Sequence, residues 1–155
     1  MRKWIALFVF LLCLDVVTKL AAIQFIPPLG PGGYPFSGIP VFSMGGITCS
    51  LNYVVNSGAA WGVFAGYPGL LFAFRALIIL GLVLFVPKRM PVWLIVTGAV
   101  GNAIDYCLYG HVIDFIHFTF WGYWFPIFNV ADSCITIGVV CLLFFSRKAS
   151  EARAL

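Results

Sequence analysis

Asp114 and Asp132 bracket an aromatic-rich stretch in the last third of a chain that carries very few charges. Two carboxyl groups within hydrogen-bond reach cannot both ionise cheaply, so such a pair shares a proton. The ionised member can take a proton from water while the protonated member polarises a carbonyl. That is metal-free peptide-bond hydrolysis, and the pair titrates as a unit, without a role assigned to either member. Taken alone, Asp132 reads as a helix cap and Asp114 as a solvated loop acid. Only their juxtaposition gives a site. The chain has five acids, and four of them (Asp15, Asp105, Asp114, Asp132) lie in or beside apolar runs. An ionised side chain at mid-bilayer costs about 2.5–3.5 kcal/mol on insertion scales, so acids retained there point to function.

The elements that must position this pair follow from composition. The 155 residues are 63% apolar and 9% charged, against about a quarter charged in soluble domains. This is an all-α membrane protein by composition, short enough for one domain over 1–155. Four apolar runs, 4–25, 70–86, 92–109 and 130–145, are read as transmembrane helices. The fourth is short, and the aromatic residues before it supply the missing turn. Seven of nine basic residues (Arg2, Lys3, Lys88, Arg89, Arg147, Lys148, Arg153) flank these runs on one side. The stretches 27–69 and 110–129 contain no Lys or Arg. The positive-inside rule then puts both termini in the cytoplasm and both long loops outside. The basic, apolar N-terminus resembles a secretory signal, but Asp15 and Lys19 interrupt it and no small-x-small site follows, so the first run is expected to stay in the mature protein.

In this topology the polar residues converge near the outer face. Asp15 and Lys19 are four apart on one helix face and are expected to form an ion pair. Asn102 and Asp105 lie near the outer end of the third run, and Asn129 and Asp132 open the fourth. Both pairs read Asn-x-x-Asp, a spacing that keeps the two side chains on one face. Arg75 is expected to snorkel toward headgroups. In the first outer loop, Pro27 to Gly33 breaks any helix. Ile47, Cys49, Leu51, Tyr53 and Val55 then alternate with mostly polar residues, which predicts a strand with one apolar face. Val41 to Met44 could pair with it across Gly45-Gly46, giving a small β-rich extracytoplasmic subdomain. The second outer loop, with Phe115, Phe118, Phe120, Trp121, Tyr123, Trp124, Phe125 and Phe128, is expected to skim the bilayer at headgroup level.

Other chemistries fit less well. A net charge of +4 without a basic patch does not suggest nucleic acid. Four of the five cysteines lie in apolar runs and read as small apolar fillers, and neither a CxxC nor a Cys/His cluster suggests zinc. His111, Asp114 and His117 could ligate a metal, but a spacing of three puts successive members on opposite sides of a strand. Ser133 and Cys134 have no evident histidine to activate them. A channel or transporter would need polar residues through the whole depth of the membrane, and the inner half of every run is apolar. The site is therefore expected to use no metal and no cofactor.

Five motifs, in order, resemble the lipoprotein signal peptidases (signal peptidase II) over nearly the whole chain. They are Asp15-x-x-Thr18-Lys19; Asn56-Ser57-Gly58-Ala59-Ala60-Trp61-Gly62; Gly98-Ala99-Val100-Gly101-Asn102-Ala103-Ile104-Asp105; Val112-Ile113-Asp114-Phe115-Ile116; and Phe125-Pro126-Ile127-Phe128-Asn129-Val130-Ala131-Asp132-Ser133. The resemblance implies cleavage of diacylglyceryl-modified prolipoproteins just before the lipidated cysteine, at the extracytoplasmic face of a bacterial cytoplasmic membrane. Membrane lipids and the prolipoprotein are the expected partners, and a monomer the expected state. Asp114 and Asp132 would be the catalytic dyad. Asn56, Gly58, Asn102, Asn129 and Ala131 would bind substrate or position the aspartates, with Asp15, Lys19 and Asp105 in support. One departure stands out. Tyr106 follows Asp105 where the family usually has Arg, so Asp105 is expected to lack that cationic neighbour.

Overall fold

The computed structural model describes residues 2–27, 38–56, 68–86 and 89–151. Among these residues, four helices and four strands follow one another along the chain: α1 (Arg2–Phe25), β1 (Ile39–Met44), β2 (Ile47–Asn56), α2 (Pro68–Phe85), α3 (Met90–Tyr109), β3 (Val112–Phe120), β4 (Tyr123–Trp124) and α4 (Val130–Glu151). The helices cover the four apolar runs. Among the described residues, α1 and α3 are long and apolar enough to cross a membrane, with mean hydropathies of 2.3 and 1.3. Shorter apolar stretches lie within α2 (Ala76–Phe85) and α4 (Val130–Phe144).

Polarity is arranged inside out. The buried residues of α1 are Asp15, Lys19 and Ala22, while Phe10, Val17, Leu20 and Phe25 face outward. Leu70, Phe74, Leu77 and Leu84 of α2 and Leu143 and Phe144 of α4 are likewise exposed. In water such surfaces would drive association. In an apolar solvent the expensive groups are the ionisable ones, and those are turned inward.

α3 and α4 pack backbone against backbone. A Cβ on Gly98 would strike the Ala131 carbonyl oxygen, and one on Gly138 would lie 2.8 Å from the Pro91 carbonyl oxygen. Small residues permit this approach where no water-driven force draws helices together. Pro91 occupies the first turn of α3, where its missing N–H costs nothing. Gly110 closes the helix at φ 75°, donating its N–H to the Tyr106 carbonyl.

The sheet is antiparallel in the order β1-β2-β3-β4. The β1–β2 hairpin turns at Gly45-Gly46, both with positive φ (57° and 84°), as a two-residue turn between right-twisted strands requires. The expected pairing of Val41–Met44 with the following strand is present, beginning at Ile39. Simple alternation along β2 fails at one place. The register shifts between Leu51 and Val54, and the extra residue of this bulge changes which side chains point inward. Asn52 is therefore fully buried, while Val55, expected on the apolar face, is 52% exposed. The second outer loop is ordered as strand for most of its length. β3 is central, pairing along its length with β2 and at its end with β4, and Phe118 stacks on Phe120 and Phe128.

Candidate active site

The acids, the lysine and the asparagines expected at the site and lying among the described residues enter one connected network at the junction of α1, α3, α4 and the sheet. It begins in α1, where the spacing of four brings Lys19 Nζ to 2.7 Å from Asp15 Oδ2. The same ammonium lies 2.8 Å from Asp105 Oδ2 and donates to Asn102 Oδ1 at 3.0 Å. Asp15, Lys19, Asn102 and Asp105 are each no more than 3% exposed. A buried ammonium is tolerable when all its donors are engaged, and here three acceptors surround it. Asp105 thus has its cation from α1, although Tyr106 occupies the next position. Its Oδ2 also accepts the Ile113 N–H at 3.1 Å, tying the end of α3 to the start of β3. Asp15 Oδ1 accepts the Ala131 N–H at 2.8 Å. Ala131 therefore contributes its backbone, and its methyl is buried.

The Asn-x-x-Asp at the head of α4 is a reciprocal cap. Asn129 Oδ1 accepts the Asp132 N–H at 2.8 Å, and Asp132 Oδ2 accepts the Asn129 N–H at 3.3 Å. Asp132 is thus both a cap and a member of the site, because its Oδ1 accepts from Asn102 Nδ2 at 2.8 Å. The fully buried Asn129 amide group extends further, donating to Asp114 Oδ1 (2.7 Å), Asn102 Oδ1 (3.1 Å) and the Ile113 carbonyl (3.1 Å). Asn56, at the end of β2, donates from Nδ2 to Asp114 Oδ2 at 2.7 Å. One side chain, Asn129, therefore holds both aspartates.

The environments of the two acids differ. Asp114 is 2% exposed, whereas Asp132 is half-buried. Burial pushes the Asp114 carboxyl up to about 7, the nearby negative charge of Asp132 pushes the same way, and the Asn56 hydrogen bond and Lys19 oppose them. Both aspartates border a cavity of about 540 Å³ whose other walls are the segment Phe125–Phe128, Asn56, and Ser133, Ile135, Thr136 and Ile137 of α4. An apolar cleft with a few converging polar groups is the usual form of a substrate site. His117 lies three residues beyond Asp114 on β3, and its ring engages Ser50 Oγ at 3.5 Å.

Gly58, with the rest of the segment 57–62, lies outside the described residues. So do the front of the first outer loop and the side chain of Arg75. The Thr18 hydroxyl bonds back to the Leu14 and Asp15 carbonyls at 2.7 and 3.0 Å, within its own helix. Sequence reasoning missed the backbone of Ile113, which both donates to Asp105 and accepts from Asn129. It also missed the role of Gly101, where a Cβ would sit 2.6 Å from Asp15 Oδ2. The repeat of glycine three residues apart, Gly98 and Gly101, was a legible sign of close packing there.

Three comparisons bear on this arrangement. The family model for signal peptidase (SPase) II matches residues 7–147. The lipoprotein signal peptidase of Chlamydia pneumoniae is 34% identical over 98% of this chain and 96% of its own length. That of Staphylococcus haemolyticus (strain JCSC1435) is 39% identical over 63% of this chain and 67% of its own. Two solved bacterial membrane enzymes, both determined by the in meso method, have the same fold. One superposes with a TM-score of 0.80 at 31% identity over 97% of this chain and 90% of its own, the other with 0.74 at 32% over 93% and 92%. With its fold and nearly its full length matched, the chain belongs to the signal peptidase II family of membrane peptidases.

Proposed function

We propose that this chain is a membrane-embedded aspartic endopeptidase. It removes the signal peptide from diacylglyceryl-modified prolipoproteins, cutting just before the lipidated cysteine, with Asp114 and Asp132 as the dyad. The observation that carries the reading is the single Asn129 side chain that donates to the Asp114 carboxyl and accepts the Asp132 backbone N–H at the wall of a cleft. The family membership supports the substrate class.

In the reaction, the ionised carboxyl takes a proton from a water molecule as the water oxygen attacks the scissile carbonyl carbon. The protonated carboxyl donates to the carbonyl oxygen, so the adduct forms as a neutral gem-diol. Proton transfer to the amide nitrogen then lets the C–N bond break, leaving a carboxyl on the signal peptide and an amine on the cysteine. The dyad ends with one proton, as it began. The four asparagine and backbone donors around the two carboxyls are fixed before substrate arrives, so little reorganisation accompanies the charge movement.

The chain is read as one integral-membrane domain over 1–155. α1 to α4 are the four spans, both termini are cytoplasmic, and the sheet lies at the extracytoplasmic face of the bacterial inner membrane. The basic residues clustered in the first turn of α1, between α2 and α3, and toward the C-terminal end of α4 support this orientation. The exposed aromatics of the β3–β4 hairpin, Trp121, Tyr123 and Trp124, suit headgroup level. A monomer is the proposed state. The test is a cleavage assay in reconstituted membranes with lipidated and unlipidated precursor. Asp114→Asn and Asp132→Asn should each abolish cleavage of the lipidated precursor while keeping the fold. Full activity in either variant refutes the dyad.

A further inference from the structure

We propose that Lys19, acting through the side-chain amide of Asn102, is a positioning residue that keeps Asp132 as the ionised, proton-accepting member of the pair. This rests on the aspartic-dyad reading and assigns within it the roles that the sequence leaves open.

The argument turns on which end of an amide points where. An ammonium and an amide NH₂ have hydrogens to give and no lone pair to receive with. Asn102 faces one of each on the same side: Lys19 Nζ at 3.0 Å and Asn129 Nδ2 at 3.1 Å. The atom meeting them must be the oxygen, so the amide cannot flip. Its NH₂ is thereby aimed at Asp132 Oδ1, 2.8 Å away. Asn129 is locked in the same way, because its oxygen receives the Asp132 N–H at 2.8 Å. Asp132 thus has a locked donor on Oδ1 and the Asn129 backbone N–H on Oδ2. It also stands in the first turn of α4, where unpaired helix N–H groups favour negative charge. Donors on both oxygens and the helix end all favour the carboxylate.

Asp114 also receives two amide donors, but it sits on a strand with no helix end behind it, and it is the more buried of the two. Burial is the largest influence on its proton and favours the neutral acid. Among the described residues, the charged groups facing this assembly are Asp15 and Lys19 from α1, Asp105 from α3 and Asp114 from β3, with β2 contributing the neutral Asn56. Lys19 is the cation among them. Its position is set by Asp15 and Asp105, neither of which touches either member of the pair in the described hydrogen bonds. The two supporting acids therefore act on the chemistry at one remove, by holding the ammonium that holds the amide.

The test is the pH profile of kcat for a lipidated precursor, with folding checked by thermal unfolding in detergent. Below the acid limb the proton-accepting carboxyl is protonated and idle. Asn102→Asp keeps the shape but replaces the donor facing Asp132 with an oxygen, which favours a proton on Asp132. The acid limb should move upward by about one pH unit or more, with KM changed less than twofold. Lys19→Met should move it in the same direction, and Lys19→Arg, which keeps a cationic donor, should leave it in place. If Lys19→Met does not fold, Asn102→Asp decides. If Asn102→Asp does not fold, the Lys19 pair decides. A folded Asn102→Asp or Lys19→Met enzyme that loses activity by one factor at all pH values, with the limb unmoved, overturns the positioning role. Activity retained by Asp114→Asn or Asp132→Asn in the same assay refutes the dyad itself and the present inference with it.

Discussion

Asn129→Asp should inactivate the enzyme through one atom. The substitution is isosteric, and the oxygen that caps the Asp132 N–H at 2.8 Å survives it. The other end changes from a donor to an acceptor, and it faces three acceptors: Asp114 Oδ1 at 2.7 Å, Asn102 Oδ1 at 3.1 Å and the Ile113 carbonyl at 3.1 Å. The residue is fully buried, so no water screens the conflict. Losing a hydrogen bond to a charged group costs about 1.5–3 kcal/mol, and a neutral one about 1 kcal/mol. An amide NH₂ has two hydrogens, so one bond of each kind is lost, and the sum, about 2.5–4 kcal/mol, corresponds to roughly a 70- to 900-fold loss in kcat if it falls on the placement of the dyad. Steady-state cleavage of a lipidated precursor reads the rate, and thermal unfolding in detergent reads the share lost to stability. Because the helix cap is kept, α4 should form normally. An Asn129→Asp enzyme with more than half of wild-type kcat and an unchanged unfolding temperature would refute the claim that this amide bridges two reacting acids.

Two further outcomes follow from the same geometry. The Asp114 carboxyl binds its proton more tightly folded (about 7) than unfolded (3.8). The folded state therefore holds an extra proton between those values, and stability declines as pH rises from about 4 to about 7, by at most about 4 kcal/mol. Unfolding midpoints measured across that range should fall in wild type and flatten in Asp114→Asn. Gly101→Ala would press a methyl to 2.6 Å from Asp15 Oδ2, and Gly98→Ala would drive one into the Ala131 carbonyl. Each should destabilise by about 1–3 kcal/mol and depress cleavage. Gly45→Ala meets no atom within 4 Å, and should cost only about 1 kcal/mol for its positive φ, leaving cleavage intact.

What could be read in the chain was whatever repeats with a helix or a charge rule. The four helices begin and end within a few residues of the apolar runs, and Asp15 and Lys19 meet because residues four apart share a face. Asn129 and Asp132 cap each other because their spacing is that of a helix start. The sheet was legible only in part. The Gly45-Gly46 turn announced the first hairpin, but the aromatic run from Val112 to Phe120 has no period-two polarity, since phenylalanines cover both of its faces. The bulge that buries Asn52 depends on pairing with β3, a contact between distant segments that neither strand records by itself. The partner of Asp105 was hidden for the same reason: its cation comes from α1, not from its own helix.

The network draws Asp15 and Lys19 from the first helix, Asn56 from a strand, Asn102 and Asp105 from the third helix, and Asn129 and Asp132 from the last. The bond from Ala131 to Asp15 closes a span of 116 residues. A chain still emerging during synthesis, with its last helix not yet docked, has no completed pair of acids. On the aspartic reading, such a chain is expected to gain activity only once its last helix has docked.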